Sequence, residues 1–426
     1  MGIYFSYILL VFYIIGLAFF VKKSSFFRSS KIAKNKIVAL SIIKMFGGML
    51  YAYLTMTITN GGDIFEYFKD GNLIYDQLRT NPSNYFKLIF SPNNVAIPLG
   101  TETVIKEMGY WGDTGDYMLV RFNAIIRPFS LGNIYIHSLF AGFLSFIGSF
   151  LLLKVFETQL KTSKLVLYSI FLSPSLLLWT SGIHKEFVSV LALGLILFHF
   201  FNLTKRFNKP KDIVFFTIGI LLFFYTRNYM LLALTPSLLA YTIHKIFHIR
   251  FNRSVYFSLL ALLVFLNFQK IPSYNKTGFE VIVEKRSQFE DLKNGNTSIE
   301  LDPIEANFSS LIINSPKALF NTIFRPHFGD VKSFLLALAS LESLIITLLF
   351  IMAIFNFHKL DFKERDLAIF MLLYAISLLL IIGWIVPNIG AIIRYRSISL
   401  IIFIPTVLHI VLKNKWFRKF IKRIEI

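Results

Sequence analysis

The chain has 426 residues, of which 55% are hydrophobic and only 16% charged. Soluble domains carry about 25% charged residues, so this one is too apolar to be wrapped in water. Its net charge of +20 would suggest nucleic acid in a soluble protein, but here the charge must lie outside the apolar segments. The lack of cysteine excludes disulfides, thiolate metal sites and cysteine nucleophiles.

A membrane crossing takes roughly 20 apolar residues to cover about 30 Å of hydrocarbon. Runs at 3–21, 37–56, 134–153, 165–183, 187–204, 333–357 and 367–386 reach that length. Shorter runs at 213–226, 229–243, 255–268 and 397–412 bring the expected spans to eleven. No basic residue precedes the first run, and Lys22 and Lys23 follow it. This is the reverse of a cleavable signal peptide, so a retained span with its N-terminus outside is expected. The loops placed inside by that choice hold 24 Lys and Arg against 6 acidic residues, whereas the outer ones hold 18 against 17. The bias obeys the positive-inside rule and puts the C-terminus, with its KNKWFRKFIKR tail, inside against anionic lipid. The positive charge therefore reads as topology, and no nucleic-acid partner is expected. The runs 213–226 and 229–243 are separated only by Arg227 and Asn228; as a re-entrant pair they would leave the parity unchanged. The expected fold is an all-α polytopic membrane protein, 1–426 as a single domain, with two long outer loops at 57–133 and 269–332.

The first of these loops opens with TNGGDIFEYFKDGNLIYDQLR. Gly61 and Gly62 supply a turn out of the span, and a helix is expected from Asp63. Asp63, Glu66 and Asp70 fall at i, i+3 and i+7 and share one face. Ile64, Phe65 and Phe68 take the other side, so the helix is expected to lie on the membrane surface with its carboxylates up. At the expected N-cap, Asp63 suits a capping role and a general base equally. Glu66 and Asp70 fit a solvated face or contacts to a substrate.

Further along, WTSGIHKEF carries His184, Lys185 and Glu186 at a hairpin tip. Arg227 caps the short hairpin. FRPHFGD carries Arg325 and His327, and PNIGAIIRYRS carries Arg394 and Arg396. Charges at span ends snorkel or pair locally, as Lys185 with Glu186 could. A ring of cations outside, where the positive-inside rule depletes them, is also what an anionic lipid head group requires. Lys44 can snorkel from its span, whereas Glu342, deep in another, must face protein or water. No histidine pair has zinc spacing, and G-x-G-x-x-G, Walker A and G-x-S-x-G are absent. No cofactor is expected, although a divalent cation is compatible with the carboxylates.

An early carboxylate beyond a span, a large first outer loop, many spans and basic span ends resemble the GT-C superfamily of integral membrane glycosyltransferases. The stretches SPSLLLWTSGIHKEF, IFRPHFGD with ASLESL after it, and NIGAIIRYRSISLIIFIP are similar to bacterial proteins of its family-39 group. Two departures stand: the first outer loop has no D-x-D or Asp-Glu pair, and one extra span precedes it. The resemblance implies a polyprenyl-phosphate sugar donor and a glycan, lipid or protein acceptor. It implies Asp63 as base, with Glu66 or Asp70 able to bind acceptor hydroxyls or replace it, and Lys185, Arg325, Arg394 and Arg396 on the donor phosphate. His184, Glu186 and His327 are candidate substrate contacts beside them. The location implied is a bacterial inner membrane. Competing expectations are a polysaccharide polymerase or ligase working from its arginines, a lipid-linked sugar flippase, and a scaffold without chemistry.

Overall fold

The computed structural model describes residues 2–58, 61–93, 97–160, 162–205, 209–271, 275–291 and 297–424. In chain order the helices are α1 (Gly2–Lys23), α2 (Ser25–Arg28), α3 (Lys34–Ile58), α4 (Asp63–Thr80), α5 (Pro82–Phe90), α6 (Glu102–Glu107) and α7 (Thr114–Ser130). They continue as α8 (Ile134–Gln159), α9 (Lys164–Leu172), α10 (Pro174–Trp179), α11 (Lys185–Leu203), α12 (Pro210–Phe247) and α13 (Phe251–Phe268). The remainder are α14 (Gly278–Asp291), α15 (Phe308–Leu319), α16 (Phe334–Asn356), α17 (Phe362–Ile385), α18 (Ile389–Val411) and α19 (Lys415–Ile424). A two-residue antiparallel pairing, Lys270–Ile271 with Lys276–Thr277, is the one sheet among the described residues. Nine helices among the described residues are long and apolar enough to cross a membrane: α1, α3, α8, α11, α12, α13, α16, α17 and α18. The chain is an all-helical, multi-pass membrane protein.

The difference between eleven runs and nine long helices has two local causes. The run 165–183 is broken into α9 and α10. Pro174 lacks an N–H and forces its predecessor out of helical dihedrals, and Ser173 is extended at φ −63°, ψ 130°. The runs 213–226 and 229–243 are two helical stretches on either side of Arg227, whose φ −153° and ψ 76° are not helical, and together they count as one of the nine under the label α12.

The residues group into two compact units, 1–155 with 176–228, and 156–175 with 229–426. In the first unit, glycines set the approach of the long helices. A Cβ on Gly48 of α3 would lie 2.4 Å from the Ser138 carbonyl oxygen and 2.5 Å from that of Ser181, and one on Gly194 of α11 would lie 2.4 Å from the Gly148 carbonyl oxygen. Lys44 does not snorkel: it is wholly buried, and its Nζ donates to Thr180 Oγ1 at 2.6 Å, the Leu176 carbonyl at 3.2 Å and Ser145 Oγ at 3.3 Å. These acceptors satisfy the ammonium where it stands. The helices α4 to α7 share a core with α3, α8 and α11 built on Ile64, Ile74, Leu88, Tyr117 and Phe187.

In the second unit, α15 and α18 pack on α17, α16 packs on α18, and α18 is buried continuously from Arg396 to Val411. Glu342 of α16 faces protein: it accepts from the Ser175 backbone N–H at 3.2 Å and from the hydroxyls of Ser173 and Ser175. The carboxylate thus meets the polar groups released by the Pro174 break.

Candidate active site

Gly61 and Gly62 have φ of +138° and +132°, a region that only glycine enters freely, and they turn the chain into α4 as expected. Gly62 therefore takes the N-cap position, and Asp63 is the first helical residue rather than the cap. Asp63 and Glu66 stand in the first turn, where the positive end of the helix dipole favours carboxylates. Both are exposed, and Glu66 lies 3.7 Å from Lys69.

Asp70 departs from the expected solvated face: it is wholly buried. Its azimuth is nearly that of Asp63, but the chain at 108–111 folds over the helix two turns further along. Asp70 Oδ2 accepts the Tyr110 backbone N–H at 3.0 Å. Burial pushes its carboxyl above the usual range, while N–H bonds from Tyr110 and Gly109 partly offset this. The apolar face of α4 does not rest on lipid either. Ile64, Tyr67, Gly71 and Ile74 are buried, and a Cβ on Gly71 would sit 2.7 Å from Asn123 Cβ of α7. The helix is half of a protein core.

Around Asp63 the structure assembles residues that sequence spacing did not bring together. The Tyr110 hydroxyl donates to Asp63 Oδ1 at 3.2 Å. Its ring stands 4.7 Å from that of Tyr67, centre to centre, and the Tyr67 hydroxyl donates to Asp116 Oδ1 at 2.5 Å. The Lys185 ammonium lies 2.9 Å from Asp116 and 3.2 Å from Asp113. Asp113 caps α7 by accepting the Asp116 N–H at 2.8 Å. Gly115 lies between them because a side chain there would meet the Thr226 carbonyl at 2.8 Å and Lys185 Nζ at 3.1 Å. The first turns of α4, α7 and α11 are tied together through these groups. The signal for Asp113 and Asp116 was the GDTGDY stretch, two aspartates three apart before an apolar run, which is a capping pattern.

Burial pushes both phenols, Tyr67 and Tyr110, above their usual range, and the neighbouring carboxylates Asp116 and Asp63 add to it. Both therefore remain donors at neutral pH. Burial also raises the Asp116 carboxyl, with Lys185 and the Tyr67 hydroxyl opposing. At Asp113 burial acts in the same sense, but Lys185 and the Asp116 N–H outweigh it, and its carboxyl lies below the usual range.

Lys185 and Glu186 do not pair with each other, since adjacent residues on a helix diverge by about 100°. Glu186 instead takes Arg227 at 2.6 Å, with both side chains buried. His184 is buried as well, its ring edge-on to Tyr51 at 4.4 Å between centres.

The remaining sequence candidates belong to the second unit. Arg325 makes a two-point contact with Asp330, Nε to Oδ2 at 3.2 Å and Nη2 to Oδ1 at 3.0 Å. His327 is exposed and accepts the Gly329 N–H at 3.1 Å on Nδ1. Arg394 is half-buried and donates to the Tyr395 hydroxyl at 3.0 Å. Arg396 is turned into the protein: it is wholly buried, donating to the Thr322 carbonyl at 3.0 Å, to Ser343 Oγ at 2.7 Å and to the Arg325 carbonyl.

The chain matches no protein-family model, no curated protein and no solved structure. Its chemistry is therefore read from its own side chains. Among the described residues no three His, Asp or Glu converge as metal ligands, and the Asp113–Asp116 pair already shares one ammonium. Asp63 is the exposed end of this network, a carboxylate held by a phenol at a helix start.

Proposed function

We propose that this protein is an integral membrane glycosyltransferase that moves a sugar from a polyprenyl-phosphate donor to a glycan, lipid or protein acceptor on the outer face of a bacterial inner membrane. The observation that carries this reading is the placement of Asp63. It is an exposed carboxylate on the first helical residue after α3, oriented by Tyr110 and backed by a buried network. Asp63 takes the proton from an acceptor hydroxyl as that oxygen attacks the anomeric carbon. The bond from that carbon to the phosphate oxygen breaks in the same step, polyprenyl phosphate leaves, and the configuration inverts. Glu66, exposed one turn on, is placed to bind an acceptor hydroxyl.

The tightly held cations revise the phosphate assignment. Lys185 is shared between two aspartates and Arg396 is buried on carbonyls, so both act as positioning residues. That Arg325 and Arg396 are engaged within the protein favours carboxylate chemistry over an arginine-driven polymerase or ligase. A flippase reading draws on a different observation, the helix broken at Pro174 with Glu342 on the break.

One experiment separates these readings. The purified protein in proteoliposomes is given a polyprenyl-phosphate sugar and an envelope acceptor extract. A transferase releases polyprenyl phosphate and yields an inverted glycoside. Donor that crosses the bilayer with its sugar still attached, and without release of polyprenyl phosphate, contradicts the proposal.

A further inference from the structure

In the first unit α4 and α7 pack side by side, with Gly71 against Asn123, and their later turns bring two arginines to one ring. The Arg127 guanidinium lies 5.1 Å from the centre of the Tyr75 ring, and that of Arg79 lies 5.2 Å from it. Tyr75 follows Asp63 along α4 by about 18 Å of helix. One sugar phosphate could not reach both places, whatever reaction Asp63 performs.

Both arginines are held by neutral partners. Arg127 is half-buried, and its Nε donates to Asn72 Oδ1 at 2.6 Å. Its guanidinium rests on Gly132, where a Cβ would lie 2.8 Å from Nη2. That glycine, at φ +81°, closes the turn from α7 to α8. Arg79 is exposed and donates from Nη2 to the Tyr75 hydroxyl at 3.2 Å. Lys185, Arg227 and Arg325 each meet a carboxylate. Among the described residues Arg79 and Arg127 meet none, and the two terminal nitrogens of Arg127 make no hydrogen bond. Sharing one ring holds the two guanidinium carbons within about 10 Å of each other. Like charges at that range repel, and an anion seated on both removes the repulsion.

The site stands at the membrane boundary. Asn133, in the turn that carries Gly132, donates to Ser6 Oγ of α1 at 3.1 Å. The Tyr13 hydroxyl of α1 donates to the Phe129 carbonyl at 3.0 Å. Tyr7 and Tyr135 lie ring to ring at 6.5 Å, and Tyr4 and Tyr7 are exposed, as tyrosines are where head groups begin. The end of α7 also exposes Ile125, Phe129 and Leu131. Cations and apolar side chains together suit a molecule that has both an anionic head and hydrocarbon.

An arginine fork matches phosphate oxygens two at a time. The Tyr75 hydroxyl, which accepts from Arg79, keeps its own proton to donate. We propose that Arg79, Arg127 and Tyr75 bind the phosphate of a lipid head group, with the exposed apolar end of α7 along its acyl chains.

The test uses the full-length protein in a maltoside detergent. Native mass spectrometry compares phosphatidic acid with diacylglycerol of the same chains, and inorganic phosphate serves as competitor. Phosphatidic acid should be retained and diacylglycerol lost. Arg79→Gln should weaken retention by roughly tenfold, the scale of one charge-assisted contact, and Arg127→Gln should do so at least as much. Lys106→Gln, which removes an exposed cation on α6, should leave retention unchanged. Should the Arg127 variant fail to fold, the exposed Arg79 and the Lys106 control still decide. Equal retention of the two lipids, or equal losses in the Arg79 and Lys106 variants, overturns the proposal. Inorganic phosphate that binds as tightly as the lipid overturns it too, since the acyl chains would then add nothing.

Discussion

Lys185 places one ammonium between two carboxylates that differ in exposure, with side chains 57% exposed at Asp113 and 17% at Asp116. The two therefore respond to pH in opposite senses. Asp113 titrates below its unfolded value, so its contribution is present above about pH 4 and is lost as pH falls through the folded value. Asp113→Asn should lower the thermal midpoint at pH 7 by an amount worth no more than about 1 kcal/mol, since the pair is solvent-screened. The difference from wild type should close below about pH 4. Asp116 titrates above its unfolded value, so burial of its charge weakens the fold as pH rises through that range. Lys185→Met leaves both aspartates without their ammonium and should cost about 3 kcal/mol at pH 7, as for a broken buried pair. Because protonating Asp116 relieves the repulsion, that loss should shrink on acidification. Midpoints measured from pH 4 to 8 check both statements; a pH-independent loss in the Lys185 variant would contradict the assignment.

Among the elements, the close approach of α3 to its neighbours depends on one missing side chain. Gly48→Ala would drive a Cβ to 2.4 and 2.5 Å from two carbonyl oxygens, and it should destabilise by about 1–3 kcal/mol as an overpacked core does. Gly16→Ala on α1 meets nothing within 4 Å and should be neutral or stabilising by up to about 1 kcal/mol. Unfolding midpoints that do not separate the two variants would argue against this packing. The long helices were legible as apolar runs because length and hydropathy alone demand a span. The break at Pro174 was legible in principle, since proline ends helices by a local rule, but the apolar run masked it. The interruption at Arg227 was legible as the two-residue gap between two apolar runs, whereas the buried Glu186 partner of that arginine was not. Asp63 and Asp70 share an azimuth, and only the fold of the chain at 108–111 separates the exposed one from the buried one. Nor could spacing reveal that Tyr67 and Tyr110, 43 positions apart, join Asp63 to the Asp116–Lys185 pair.

At the scale of the whole molecule, charge asymmetry is the argument for orientation, with 24 basic against 6 acidic residues on one set of loops and 18 against 17 on the other. The cysteine-free sequence makes this directly measurable. In intact cells a membrane-impermeant maleimide should label Glu102→Cys and leave Lys31→Cys unlabelled until the membrane is opened. The reverse pattern would place Asp63 on the cytoplasmic side and remove the basis for an outward-facing lipid-linked donor. Single-turnover transfer by Asp63→Asn tests whether Asp63 is the general base. With polyprenyl-phosphate sugar pre-bound and expression matched, donor binding should be unchanged and transfer reduced by at least about 100-fold, the scale of a lost general base. Transfer at the wild-type rate in that variant would contradict that role.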